Sequence, residues 1–312
     1  MDDFIAQMPK AELHLHLEGS VEPETLHELD PSSPIEEYRA LYRYADFDAF
    51  LKAFAVIGKR LRTPEDYALI THRLLERLAA QNVQYAEIIV SAGVVLWKGQ
   101  EFAPIFDAIH DAALGSPVEV NWILDAIRQF GVEPAMAVAK LAAERVDRGV
   151  VAFGIGGSET RGPAEWFPAV FAFARDAGLH LTAHAGEGTT PVSIWAALNL
   201  GAERIGHGIS AALDEALMRY LREKDIPLEI CITSNLVTGV VRRIEDHPVR
   251  QLFDAGVPIV LNTDDPAMFG CTLVGEYRLA AERFGFSQPE LRTIAENGFR
   301  YSWRRNGRLP KT

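Results

Sequence analysis

Eight short runs rich in β-branched and apolar residues recur along the chain, and helically periodic segments separate most of them; this alternation constrains the fold more than anything else in the sequence. Strands are predicted near Glu12–Leu17, Val83–Val90, Val118–Leu124, Val150–Ile155, His180–His184, Arg204–His207, Leu228–Ile232 and Ile259–Asn262. Helical spacing is clearest over Tyr67–Leu78, Glu133–Arg145, Ala164–Ala177 and Leu213–Leu221. Strands that alternate with helices form parallel βα units. Eight such units close a barrel, whereas an open doubly wound sheet needs fewer. The expected class is therefore α/β, a (β/α)8 TIM barrel. The 312 residues exceed the usual size of one domain, but barrels of about 250 residues stay single. One domain over residues 1–312 is expected. The interval from Gly19 to Gln81 holds far more than one helix and is read as a helical insertion over residues 20–80, able to cover the barrel mouth. Asp30-Pro31-Ser32-Ser33-Pro34 makes a turn inside it.

Composition removes several partners. There are 31 basic and 43 acidic residues, a net charge of −12 with histidine neutral. Nucleic-acid backbones and anionic membranes both need a basic surface, so neither is the expected partner. The two cysteines, Cys231 and Cys271, supply no disulfide framework and no four-cysteine metal site. The start, Met1-Asp2-Asp3-Phe4, carries acid where a secretory signal carries base. The longest apolar stretch, Ile88–Trp97, is far short of the ~20 residues that span a bilayer. A soluble, cytoplasmic location is expected.

The chemistry-bearing residues cluster at predicted strand ends. Side chains alternate across a strand, so His14 and His16 share one face of the first run, while Leu13, Leu15 and Leu17 share the other. By itself, His-x-His also fits a solvated edge strand. His184 ends the fifth run, His207 the sixth, and Asp264-Asp265-Pro266 follows the eighth. Barrel enzymes carry their reacting groups at the carboxyl ends of strands, and these segments together read as a site. Neutral imidazole and carboxylate are ordinary zinc ligands. His14, His16, His184 and Asp264 are the expected ligands of one Zn2+ or another divalent transition metal; such a metal brings the pKa of its water to about 7. Asp264 is preferred to Asp265 because it lies nearer the strand end. Glu187, three residues past His184, is placed for general acid–base work, with His207 and Asp265 holding water and substrate. Asp264-Asp265-Pro266 also fits a plain helix start. His180 reads as structural, and His27, His72, His110 and His247 receive no role.

Taken together, the chain resembles the adenosine deaminase family of the amidohydrolase superfamily. The resemblance rests on Met8-Pro9-Lys10-Ala11-Glu12-Leu13-His14-Leu15-His16-Leu17-Glu18-Gly19, His184-Ala185-Gly186-Glu187, Gly206-His207-Gly208, Thr233-Ser234-Asn235 with Thr238-Gly239, and Asn262-Thr263-Asp264-Asp265-Pro266. It implies zinc on His14, His16, His184 and Asp264, and hydrolytic removal of the amino group at C6 of an adenine ring. It implies that Glu187 protonates purine N1, that His207 and Asp265 orient the attacking hydroxide, and that Asp265 meets N7. It further implies that the backbone N–H of Gly157 meets N3, with Ser234 and Asn235 in support. Partners are then a small purine nucleoside and water.

The departures narrow the substrate. Glu18 stands where adenosine deaminases usually carry an aspartate toward the ribose 5′-hydroxyl, and Ser158 stands where they commonly have aspartate. Leu236-Val237-Thr238-Gly239 differs from the Lys-Leu that follows Ser-Asn in adenine deaminases. Asn121-Trp122-Ile123-Leu124-Asp125-Ala126-Ile127-Arg128-Gln129-Phe130-Gly131 is similar to the branch that deaminates 6-aminodeoxyfutalosine in menaquinone synthesis. That substrate carries a keto-benzoate tail, and Arg128 is expected to face its carboxylate. The alternative for Arg128 is a surface arginine on a helix. Adenosine, 5′-methylthioadenosine and adenine are the competing substrates. A metal-dependent amide or ester hydrolase and a non-catalytic purine-binding protein are the competing classes.

Overall fold

The computed structural model describes residues 1–304, and the last eight positions of the expected 1–312 domain lie outside the described residues. Eight parallel strands pair in sequence order: β1 (Lys10–His16), β2 (Val83–Val90), β3 (Glu119–Ile127), β4 (Val150–Gly156), β5 (His180–Ala185), β6 (Arg204–His207), β7 (Leu228–Ile230) and β8 (Ile259–Leu261). A parallel bridge between Leu15 and Asp264 brings the last strand back to the first. Helices fill the intervals between strands, giving a (β/α)8 barrel. Among the described residues no helix is long and apolar enough to cross a membrane.

Every predicted strand is present, and the boundary differences at β7 and in one helix have identifiable causes. The seventh run was expected to reach Ile232, but β7 stops at Ile230 and a helix starts there, Ile232–Val237. The carboxylate of Glu276 accepts the backbone N–H groups of Ile232 (2.9 Å) and Thr233 (3.2 Å). A carboxylate on the first free N–H groups favours a helix start. The predicted helix over Ala164–Ala177 divides into a 3₁₀ turn, Ala164–Trp166, and a helix, Pro168–Asp176. Pro168 lacks an N–H and fits the first helical position but not an interior one.

The insertion holds four helices, Pro23–Leu29, Ile35–Ala40, Phe47–Gly58 and Pro64–Ala80. Asp46 caps the third by accepting the N–H of Ala49 at 2.8 Å. Phe50 of this helix packs on Phe269, ring centroids 4.9 Å apart, and Phe54 lies edge-on to His16 at 6.3 Å. These contacts set an aromatic helix over the carboxyl ends of the strands.

Below that end the barrel carries buried charge. Arg204 of β6 lies between Glu87 of β2 (2.5 Å) and Glu229 of β7 (2.6 Å), and all three are buried. The Trp303 ring stacks on the guanidinium at 3.4 Å, while the Trp303 backbone N–H and the Tyr85 hydroxyl donate to Glu87 at 2.6 and 2.7 Å. Removing one partner of a buried pair strands the others, at a cost of about 3–5 kcal/mol. Arg204→Met is therefore expected to lower unfolding free energy by about that amount in urea titration. A loss below about 1 kcal/mol would contradict the reading of these charges as a mutually dependent group.

Candidate active site

β1 and β8 meet through side chains as much as through backbone. Asn262 Oδ1 accepts the N–H groups of Leu13 (2.7 Å) and His14 (3.1 Å), and the Glu12 carboxylate accepts the Thr263 N–H (2.8 Å) and its hydroxyl. The Asp264 N–H then donates to the His14 carbonyl at 3.0 Å, and the His16 N–H donates to the Asp264 carbonyl at 2.8 Å. Asp264 accordingly takes a left-handed backbone, φ 65°, as does His207, φ 60°. Such a conformation is uncommon for residues other than glycine, and at strand ends it turns side chains out of the ladder into the mouth.

His14, His16, His184 and Asp264 each bring a ligand atom within 4.8 Å of the others, all four buried or nearly so. Two of the three imidazoles, His14 and His184, are oriented from behind. His14 Nδ1–H donates to Glu229 at 2.7 Å, which turns Nε2 toward the cluster, 3.5 Å from Asp264 Oδ1, where the neutral ring presents a lone pair; that buried nitrogen has no hydrogen-bond partner among the described residues. His184 Nδ1–H donates to the Ile155 carbonyl at 3.2 Å, so its Nε2 also presents a lone pair, 3.1 Å from His16 Nε2. Asp264 Oδ1 stands 3.3 Å from His16 Nε2, and Ser234 donates to Asp264 Oδ2 at 2.7 Å. Converging bare nitrogens beside a carboxylate would be costly if nothing bound them, and they match the donor set of a divalent metal.

Two glycines make the room. A Cβ on Gly206 would lie 2.7 Å from His14 Cε1, and one on Gly19 would lie 1.7 Å from Asp265 Oδ1. Asp265 is buried beside Asp264, and burial, followed by the Asp264 charge, pushes its carboxyl well above the ordinary range.

Glu187 Oε2 lies 3.7 Å from His207 Nε2. Burial, and then the charges of Asp264 and Glu159, push its carboxyl well above the ordinary range, which favours the protonated, proton-donating form. The turn carrying Glu187 is held by Glu159, whose carboxylate accepts the N–H groups of Gly186 (2.8 Å) and Glu187 (3.0 Å) and the hydroxyls of Thr189 (2.7 Å) and Ser193. Burial opposes charge on Glu159, but those hydroxyls, the Arg128 charge and the Gly186 N–H outweigh it and hold its pKa low.

A cavity of about 530 Å³ opens from this cluster, and His16, His184, His207, Glu187, Asp264 and Asp265 line its inner end. Gly157 lines it too. Arg128 does not. It is fully buried rather than on the surface, and its Nη2 donates to the His184 carbonyl at 2.5 Å, so the structure does not place it facing a substrate carboxylate. Glu18 is also turned away from the wall; its two oxygens accept the Ser91 N–H at 3.1 and 3.3 Å, and Ser91 lines the cavity in its place. Sequence reading passed over Asp125, a cavity-lining carboxyl that burial pushes up to about 7. It also passed over the outer wall, where Phe47, Phe50, Phe54, Trp97 and Phe130 stand with Lys52 and Arg161. Asp125 and Phe130 were in the segment read for Arg128, but strand alternation alone did not say which side chains reach the mouth.

Barrel architecture with three imidazoles and an aspartate at the strand ends defines a metal-dependent barrel hydrolase. The adenosine deaminase family model matches residues 9–308, and the chain belongs to that family. It is 39% identical to an aminodeoxyfutalosine deaminase of Streptomyces coelicolor, over 96% of this chain and 81% of the relative. Among solved structures, the adenine deaminase of Arthrobacter aurescens superposes with a TM-score of 0.90 at 29% identity, covering 96% of this chain and 95% of that one. An amidohydrolase of Burkholderia ambifaria with bound Zn gives a TM-score of 0.90 at 27% identity, over 98% and 88% of the two chains. The chain is thus an aminohydrolase of the adenosine deaminase type, a class that acts on small purines.

Gly19→Ala tests the packing at Asp265. The added methyl would also lie 2.5 Å from the Asp265 Cβ, which a turn of the carboxylate alone does not relieve, so the thermal midpoint should fall along with activity. Turnover should fall by about 100-fold, the scale of a misplacement near 1 Å. Wild-type turnover would show that the Asp265 position is not critical.

Proposed function

We propose that the chain removes ammonia hydrolytically from C6 of an adenine nucleoside that bears an aryl carboxylate tail, the chemistry of 6-aminodeoxyfutalosine, with one Zn2+ held by His14, His16, His184 and Asp264. The observation that carries this reading is the cavity itself. Its inner end gathers the polar groups a purine ring needs, and its outer wall joins aromatic rings to two cations. Trp97, 54% exposed, stacks on Phe130 with centroids 5.9 Å apart, a surface suited to a second aromatic ring. Arg161 meets Asp48 at 3.5 Å, both side chains well exposed. An exposed pair of this kind contributes about 0–1 kcal/mol, so a substrate carboxylate can take the place of Asp48. The volume, about 530 Å³, falls in the range of roughly 300–1,000 Å³ that encloses ligands larger than a bare base. The relatives' names, aminodeoxyfutalosine deaminase and adenine deaminase, supply the two substrates to separate.

When bound, the metal supplies Lewis acidity that makes water a nucleophile near neutral pH. The protein residues do the rest. Glu187, whose protonated form burial favours, donates to N1 and draws electron density from C6. Gly157 N–H positions the ring at N3, and Asp265 positions it at N7. His207 and Asp265 orient the attacking oxygen and guide a proton to the departing nitrogen. The C6–N bond is exchanged for C6–O, and ammonia leaves. The helices of residues 20–80 act as the lid through which substrate enters.

Three measurements test the reading. Glu187→Gln should lower kcat by about 1,000-fold or more while metal content, read by atomic absorption, stays at one ion per chain; retained activity would refute the role. Offered adenine, adenosine, 5′-methylthioadenosine and 6-aminodeoxyfutalosine, the zinc-loaded enzyme should show its highest kcat/KM with the last. Arg161→Gln should then cost about tenfold or more on that substrate and no more than about twofold on adenosine. Equal losses on both would remove Arg161 from the tail site.

A further inference from the structure

A line of three hydrogen bonds reaches His207 from the side away from the cavity, and its direction is set at its far end. The backbone N–H of Val249 can only donate, and it donates to His247 Nδ1 at 3.2 Å. His247 is buried, and burial, followed by the charge of His207, lowers its pKa to about 3, so it is neutral at pH 7. With Nδ1 accepting, its one proton sits on Nε2, which donates to Asn235 Oδ1 at 3.1 Å. An amide has its oxygen and nitrogen at opposite corners, so Asn235 turns Nδ2 toward His207 Nδ1, 3.3 Å away. His207 Nδ1 accepts, and the remaining imidazole proton lies on Nε2. That nitrogen faces Glu187 Oε2 at 3.7 Å and Asp264 Oδ2 at 3.8 Å.

We propose that His247 is a positioning residue which, through Asn235, fixes His207 in the tautomer that presents an Nε2–H donor to the reaction. The proposal rests on the reading of His207 as the group that orients the attacking water. Without His247 the Asn235 amide is free to rotate by half a turn. Its oxygen would then accept from His207 Nδ1–H, and Nε2 would become an acceptor that competes for the proton of the water it should hold. His247 blocks that rotation because only Oδ1 can take its proton. The ring is itself held edge-on to Phe284, centroids 5.8 Å apart. Asn235 is fully buried, so no solvent substitutes for the lost partner.

The test is imidazole 15N spectroscopy of His207, assigned by its absence in His207→Gln, on metal-free and zinc-loaded protein. In the wild type His207 should be protonated on Nε2. His247→Phe should shift it toward Nδ1–H, lower kcat by about tenfold or more and leave KM within about threefold. His247→Gln, whose amide nitrogen stands near the lost Nε2, should recover the wild-type tautomer and most of kcat. An Nδ1–H tautomer in the wild type overturns the proposal whether or not the phenylalanine variant folds. So does a phenylalanine variant with unchanged spectrum and unchanged kcat. Full activity in His207→Gln would instead refute the role of His207, a separate outcome from the tautomer result.

Discussion

The seam where the last strand meets the first is the constraint on which the rest depends. Most of the barrel is joined by regular parallel ladders, but here closure passes through Asn262, Glu12 and the backbone of Asp264. Asn262 and Glu12 give their side chains to backbone N–H groups that a longer β8 would have paired. The result is that Asp264 is bonded to both His14 and His16 through the main chain before any metal enters. The same bonds that close the barrel set two imidazoles and a carboxylate side by side. Loss of closure and loss of the site are one event.

Buried charge completes that arrangement from below. His14 is oriented by Glu229, Glu229 is held by Arg204, and Arg204 is shared with Glu87. Each group alone would be expensive to bury, and each is tolerable because its neighbour carries the opposite charge or a donated proton. The same logic recurs around Glu187, where the hydroxyls and N–H groups that Glu159 accepts lower its pKa while burial and that nearby anion raise the pKa of Glu187. Two carboxyls of one site are thus pushed in opposite directions, Glu159 toward the charged form and Glu187 toward the neutral one.

Much of this was legible beforehand. The eight strands were found with boundary errors of a few residues, because a parallel barrel strand is a short apolar run between turn signals and needs no partner to be recognised. Those boundary errors were largest at the start of β1 and the ends of β3 and β7, and at β7 the reason is physical: Glu276 is 44 positions from Ile232, and no local pattern reports its carboxylate at that helix start. Histidines and aspartates at strand ends were likewise visible, since in a barrel all those ends share one mouth. Arg128 and Glu18 were misplaced for the complementary reason. Both sit just past a strand end, where one turn decides whether a side chain enters the cavity or packs behind it.

What the sequence determined by itself is the count and order of the strands and the identity of the groups at their carboxyl ends, because alternation and spacing are local properties. The tertiary structure decided which of those groups face one another, and which face the interior of the protein. Arg161 reaches the mouth from the loop after β4, while Arg128 is locked behind β5. His247, without a role on sequence grounds, lies two hydrogen bonds from His207. These are contacts between segments far apart along the chain, and their geometry follows from how helices and loops pack on the closed sheet rather than from any spacing a single strand can show.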